Sequence, residues 1–267
     1  DPPLMFNKNY TYRGSMSNTM QKHFKKLSNS LNTNPNLKIL EIGSNDGVFI
    51  KNWPTSRAIA VEPCDNFAKE TQDLGYTTYP EFWTTKLSNK IKTNHGQQDI
   101  IFAANCICHI HDLDDAFNGI ANNTSYDQIY DEHPHVFSVI ALDNILKRNG
   151  LQVVKVDNLS VHGGSNRIYA QRLGTKVDLS VEKNKSYERI LGLNKFETFE
   201  RFAKKVEQSK NDLIRILTQC KKENKKVISY GATSKSTTIF NYCGITPELI
   251  DYITDTTPEK QGKLSPG

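Results

Sequence analysis

Cysteine is sparse in this 267-residue chain: Cys64, Cys106, Cys108, Cys220 and Cys243 are all there are, and no two form a C-x2-C pair. A structural zinc site needs such pairs, with more cysteine or histidine at set spacing, so no metal is expected. An odd, dispersed set reads instead as reduced thiols in an intracellular protein. Long apolar runs are also missing. Asp99 to Ala104 is typical, and nothing nears the roughly 20 residues of a membrane span. The opening Asp1-Pro2-Pro3-Leu4 lacks the basic and apolar run of a signal peptide. These absences predict a cytoplasmic protein. Focused charge is absent as well: the net charge is +5, and the lysines scatter in small clusters such as Lys221-Lys222 and Lys225-Lys226. A nucleic-acid groove would gather them on one face with aromatics interleaved. Neither nucleic acid nor membrane is expected as a partner, although the mild positive balance suits an anionic small substrate.

What is present is ordinary globular composition, 37% hydrophobic and 24% charged. Ser17 can cap a helix carrying Met20, Phe24, Leu27 and Leu31 at helical spacing. Strands are predicted at 37–42, 57–61, 77–79 and 99–104, alternating with helices at 64–74, 80–91 and 113–120. That alternation means an α/β fold: a doubly wound parallel sheet with helices on both faces. A helix entered at Pro134 and closed by Asn149-Gly150 precedes two strands, 151–156 and 167–172, with no helix between them. They form an antiparallel pair at the sheet edge. No apolar run marks a strand at Asn122 to Ser125, where this topology wants one. The pattern changes near Gly174. A long amphipathic helix at 196–223, a strand at 226–230, a helix at 234–241 and a strand at 249–254 make a second, smaller α/β domain. The segmentation is 1–36, an N-terminal segment and helix; 37–174, the core; and 175–267, the C-terminal domain.

Glu41-Ile42-Gly43-Ser44-Asn45-Asp46-Gly47 follows a strand and opens a helix. Its glycines permit a sharp turn and close approach to a ligand. The spacing is E-x-G-x-x-x-G, not the G-x-G-x-x-G that cradles a pyrophosphate, and the P-loop lysine is missing. Such a turn suits an uncharged adenosyl group and a methionine moiety. Glu62, followed by Pro63 at the end of the second strand, can accept from both ribose hydroxyls. Asn105 ends the fourth strand, where ligands sit in open α/β sheets. His109 and His111 point apart and read as helix-entry polar residues. Tyr130-Asp131-Glu132-His133-Pro134 forms a polar cluster before a helix. His133 is a natural general base, and Tyr130 or Glu132 could orient it or stabilise an oxyanion. Gly231-Ala232-Thr233-Ser234-Lys235-Ser236 sits between strand and helix, where backbone amides and Lys235 suit a phosphate.

The chain resembles the S-adenosylmethionine-dependent sugar C-methyltransferases, those acting on nucleoside-diphosphate 4-keto-deoxyhexoses. The matching segments are Met5 to Tyr12, Leu40 to Val48, Asn105 to His109, Tyr130 to His133, His162-Gly163-Gly164-Ser165 with Arg167, Tyr230 to Ser236, and Asp255 to Gly262. They span nearly the whole chain in family order. The resemblance implies a class I methyltransferase core with a C-terminal α/β domain for the nucleotide sugar, and S-adenosylmethionine as cofactor. It implies that His133 removes the proton α to the ketone, with Tyr130 and Glu132 beside it. A tyrosine of the N-terminal segment, best matched by Tyr12 and next by Tyr10, closes the site. The polar loop His162-Gly163-Gly164-Ser165, with Arg167, could hold the sugar or close over the cofactor, and Gly231, Thr233, Lys235 and Ser236 are the candidate phosphate contacts. The family's four-cysteine zinc module has no counterpart in these residues, so zinc would enter only with a module outside this chain.

Two other functions share part of this pattern. An NAD-dependent nucleotide-sugar oxidoreductase would use the same strand-end acid but wants the tighter glycine fingerprint. A non-catalytic nucleotide-sugar or cofactor-binding protein would need no base.

Overall fold

A single helical turn, α1 (Pro2–Met5), precedes the first long helix, α2 (Asn18–Leu31). Ser17 starts α2 as its spacing predicts: the hydroxyl accepts the Met20 N–H, and Met20, Phe24 and Leu27 form the buried stripe. The computed structural model describes residues 2–110, 112–113, 124–125, 135–159 and 165–265. It divides into two units, Asp1–Tyr187 and Glu188–Gly267.

The first unit is built on four parallel strands, β1 (Ile39–Ile42), β2 (Ala58–Val61), β3 (Thr77–Tyr79) and β4 (Ile100–Ala103), in the order β3-β2-β1-β4. Every residue of β1 and β2 is buried. Their near-continuous apolar sequence is that of strands covered on both faces. The period of two sorts the side chains. Leu40, Ile42 and Val61 pack on one face, with Leu87, Ile107 and Leu146. Ile39 and Ala60 pack on the other, with Phe24, Phe49 and Phe102. The Phe49 and Phe102 rings approach to 4.0 Å between centroids. Phe49 is fully buried, a burial that contributes about 1.5–3 kcal/mol.

The crossovers carry α3 (Asp65–Asp73) and α4 (Thr85–His95). The latter begins five residues after the expected Pro80, because the Thr84 side chain accepts the Leu87 N–H and sets the cap there.

A second sheet, β5 (Thr124–Ser125), β6 (Leu151–Leu159) and β7 (Ser165–Arg172), has the order β5-β7-β6 and is antiparallel throughout. The strand thought absent at 122–125 is therefore present. Two residues paired through backbone need no apolar run, which is why it leaves no pattern. It also moves β7 off the edge, with β5 on one side and β6 on the other. Between β5 and β6 lies α5 (Val139–Arg148), started by Ser138, whose hydroxyl accepts the Ala141 N–H. That start falls after Pro134, which lies outside the described residues, as does the helix expected at 113–120 for most of its length.

The sequence reading assigned nothing to α6 (Leu179–Leu191). Its only fully buried apolar residue is Val181, too little to make a stripe. It is anchored by Lys185, whose Nζ lies 2.5 Å from the buried Asp143 carboxylate. The boundary between units falls inside this helix.

The second unit contains α7 (Phe196–Lys222), β8 (Ile228–Tyr230), α8 (Ser234–Cys243) and β9 (Tyr252–Thr254), with β8 and β9 parallel. No helix among the described residues is long and apolar enough to cross a membrane.

Candidate functional site

The C-terminal ends of β1, β2 and β4 converge on the glycine turn. β1 pairs with both neighbours, so Ile42 lies level with Val61 and Ala103. The turn is tied down from β2: the N–H groups of Gly43 and Ser44 both donate to the Val61 carbonyl, at 2.8 and 3.2 Å. Gly43 and Gly47 have φ of +69° and +77°, a region glycine occupies without penalty. At Gly43 there is also no room. A Cβ there would lie 2.7 Å from the Cys106 Cβ, so the Cys106 side chain, packed from the loop after β4, demands the glycine as much as any ligand would.

Three carboxyl groups are buried around this turn, with 3% or less exposure at Glu41 and Asp46 and 4% at Glu62. None of the three makes an ion pair among the described residues. Each Glu62 oxygen accepts one backbone amide, Oε2 from Asn45 at 2.7 Å and Oε1 from Cys64 at 2.9 Å. The carboxylate is fixed in place, and each oxygen retains a further lone pair. Burial pushes the Glu62 pKa up, against the lowering effect of those two amides. Glu41 is raised well above the ordinary range by burial and by the Glu62 charge. Its Oε2 and the Ser44 Oγ are buried with no hydrogen-bond partner.

Asn45 and Asp46, expected at the cofactor, spend their side chains on the N-terminal segment. The Asn45 carboxamide accepts the Gly14 N–H at 2.9 Å and donates to the Tyr12 carbonyl at 2.8 Å. The Asp46 Oδ2 accepts the Ser15 hydroxyl at 2.5 Å and its N–H at 3.1 Å. Tyr12 is thus brought to the turn by its backbone, with its side chain 54% exposed. Tyr10 packs edge-on against Phe6 and Phe67. Arg13, which no sequence pattern singled out, forks onto Glu70 of α3 at 2.9 and 2.8 Å. An arginine beside a glycine in an irregular stretch carries no period to read.

After β4, Asn105 adopts a left-handed φ of +53°. His109 sits edge-on to Phe6, centroids 4.8 Å apart. Tyr130, Glu132, His133, His162 and Gly163 lie outside the described residues, as does His111. Ser165 and Arg167 open β7. The Arg167 Nη2 lies 2.9 Å from the His23 Nε2 and its Nη1 3.9 Å from the Asp157 Oδ2. Arg167 and His23, with Tyr169, make the polar pole of an otherwise apolar pocket of about 420 Å³ counted with its open mouth, lined also by Phe24, Phe102 and Ala104.

In the second unit the loop expected to hold phosphate is largely self-satisfied. Thr233 and Ser236 form a reciprocal capping box. The Gly231 N–H donates to the Thr254 carbonyl at 2.7 Å, and the Ala232 N–H to the Asp255 Oδ2 at 2.7 Å. The first-turn amides outside the cap are those of Ser234 and Lys235, and the Lys235 side chain is exposed.

Read across both sheets, the strand orders 3-2-1-4 and 5-7-6, with an acidic glycine turn after β1 and an acid ending β2, define a class I methyltransferase core. Residues 160–267 match the family described as C-methyltransferase C-terminal domain. Over its whole length the chain is 27% identical to the C-methyltransferase NovU of Streptomyces niveus, covering 70% of that protein. Among solved structures it is similar to the mycolic acid cyclopropane synthase CmaA1 complexed with SAH (TM-score 0.46, 12% identity, 63% of this chain and 92% of that one). It is also similar to magnesium protoporphyrin IX methyltransferase from Synechocystis PCC 6803 with bound SAM (TM-score 0.43, 11% identity, 58% and 78%). Its C-terminal part thus matches a C-methyltransferase family model, and the chain as a whole is similar to a C-methyltransferase.

Proposed function

We propose that this C-methyltransferase binds S-adenosylmethionine over the Gly43–Gly47 turn and methylates the carbon α to the ketone of a nucleoside-diphosphate-linked 4-keto-deoxysugar. The observation that carries the cofactor reading is the trio of buried acids around the turn, Glu41, Asp46 and Glu62, with no ion pair among them. A pyrophosphate would be repelled there, which disfavours a dinucleotide. A ligand with a neutral ribose and cationic sulfonium and ammonium groups is attracted. Glu62, held by two amides, is the ribose acceptor, and Pro63 and Asn105 border the adenosyl group.

When bound, S-adenosylmethionine supplies an electrophilic methyl group and leaves as a neutral thioether. The substrate carbon is the nucleophile, and the chain's own residues must generate it. Carbon is a poor one, and the ketone makes the neighbouring C–H acidic, so a base has to take that proton. His133 is the base of this proposal, with Glu132 and Tyr130 orienting it or holding the enolate oxygen, and Tyr12 shielding the site. The nucleotide sugar lies along His162, Gly163, Ser165 and Arg167. Within the second unit taken by itself, the Ser234 and Lys235 amides and the Lys235 ammonium, beside Gly231, Thr233 and Ser236, suit a diphosphate.

Exchange of the substrate α-proton in deuterated water, without cofactor, isolates this step. The wild type is expected to exchange it. His133→Asn is expected to slow exchange by about 10²–10⁴-fold, the range for removing a general base. Exchange by the variant at the wild-type rate would remove His133 from the role.

A further inference from the structure

Residues 6–15 lie along the cofactor turn and α3, and nearly every bond that holds them lands on an element already bearing on the cofactor. Asn45 is the pivot. Its backbone N–H donates to Glu62, the ribose acceptor of the proposed site, while its carboxamide grips Tyr12 and Gly14 on either side of Arg13. Its φ of +49° is left-handed, so its backbone has little latitude to move independently. Gly14 is pressed so close that a Cβ would lie 2.9 Å from the Val48 Cγ1. Asp46, the next residue of the turn, takes Ser15 through both its hydroxyl and its N–H. From α3, which begins three residues after Glu62, Asn66 donates to the Tyr10 carbonyl at 3.2 Å. The Arg13 guanidinium lies 5.0 Å over the Phe67 ring and forks onto Glu70. Bidentate arginine–carboxylate pairs fix orientation as well as distance.

We propose that Arg13 and Glu70 are positioning residues: a latch that holds the Phe6–Ser15 strap on the glycine turn, so that strap closure and cofactor occupancy are one coupled event. The latch sets where Tyr10 and Tyr12 stand relative to the transferred methyl and keeps water from it. This rests on the reading that the turn binds S-adenosylmethionine. Coupling runs through Asn45, because anything that pulls Glu62 toward a ribose also loads the residue that grips the strap. By linkage the strap must return the same factor to the cofactor.

The test compares wild type with Arg13→Gln, Glu70→Gln and the exchanged pair R13E/E70R, in the full chain. Amide hydrogen exchange of residues 6–15 is followed with and without S-adenosylhomocysteine. Affinity for that ligand is measured by calorimetry, and methyl transfer is resolved into kcat and KM. Each single variant is expected to lose about tenfold of the ligand-induced protection in the strap and to weaken the ligand by roughly fivefold, the ordinary scale of coupling. Transfer is expected to fall in kcat more than in substrate KM, and the exchanged pair is expected to regain much of both. Unchanged strap protection in the single variants overturns the latch. Lost protection with unchanged ligand affinity and kcat overturns the coupling. If wild type binds no S-adenosylhomocysteine, the cofactor reading fails, and the latch is then judged by strap protection in the ligand-free chain, where Arg13→Gln must still lower it.

Discussion

Glu62 shows how a residue's surroundings go beyond what its position announces. Its position after an apolar strand announces an acceptor, but the two backbone amides that immobilise it come from Asn45 and Cys64, and no spacing rule gives them. The same burial that makes it a directed acceptor raises its pKa. The sign follows. Below its raised folded pKa the group is protonated and the native state carries no charge penalty, whereas cofactor binding wants the carboxylate. Affinity for S-adenosylmethionine is therefore expected to fall as pH is lowered, and to begin falling above the range where an ordinary glutamate protonates. Glu62→Gln is expected to bind more weakly at neutral pH by about 1–3 kcal/mol and to lose this pH dependence. Calorimetry between pH 5 and pH 8 (a window of roughly ordinary protein stability) checks both, and an identical pH profile in the variant would move the ribose acceptor elsewhere. The glycines carry a related lesson. Gly43 is legible as a glycine that must be glycine, but the atom excluding its side chain belongs to Cys106, sixty-three positions away.

At the scale of elements, the capped helices and buried strands were the legible parts. Ser17 and the Met20-Phe24-Leu27 stripe mark α2 unaided, and Thr77–Tyr79 is β3 to the residue. The elements that escaped lack a signal of their own: β5 is backbone pairing without an apolar pattern, and α6 buries one valine. The Asp255 turn of the second unit was matched as a segment, but its contacts were not legible. Its carboxylate accepts the N–H of Ala232 and of Thr257, and Lys260 lies 3.7 Å away. These contacts, led by the Thr257 amide, lower its pKa from 3.8 to about 2. The stability it supplies is therefore present above pH 3.8 and lost as pH falls toward 2. Asp255→Asn is expected to destabilise the second unit by about 1 kcal/mol at neutral pH, the scale of one net hydrogen bond. The difference from wild type is expected to shrink as pH is lowered through that window, in urea titrations followed by circular dichroism. A difference independent of pH would mean the carboxylate's charge has no part in the cap.

For the whole molecule, the two units imply separable ligand footprints. S-adenosylhomocysteine is expected to raise amide protection at 41–47 and 62–64 and to leave 226–260 as it was. A nucleoside diphosphate is expected to raise protection around 231–236 and not at the glycine turn. Hydrogen exchange with each ligand alone checks the division, and protection of 231–236 by S-adenosylhomocysteine would place the loop in the other site.

The sequence by itself determined the alternation of strand and helix, the acidic glycine turn, the strand-end acid and the histidine-bearing polar cluster. All are local signals carried by residue type and period. Tertiary structure alone decided which acids are buried together, which side chain excludes a Cβ at Gly43, and that Asn45 and Asp46 hold the N-terminal strap. It also placed the Arg13 guanidinium on Glu70, fifty-seven positions along the chain. Each of these is a contact between segments remote in sequence, made because parallel strands bring their C-terminal ends side by side. No periodicity within one segment records what the next strand over will present to it.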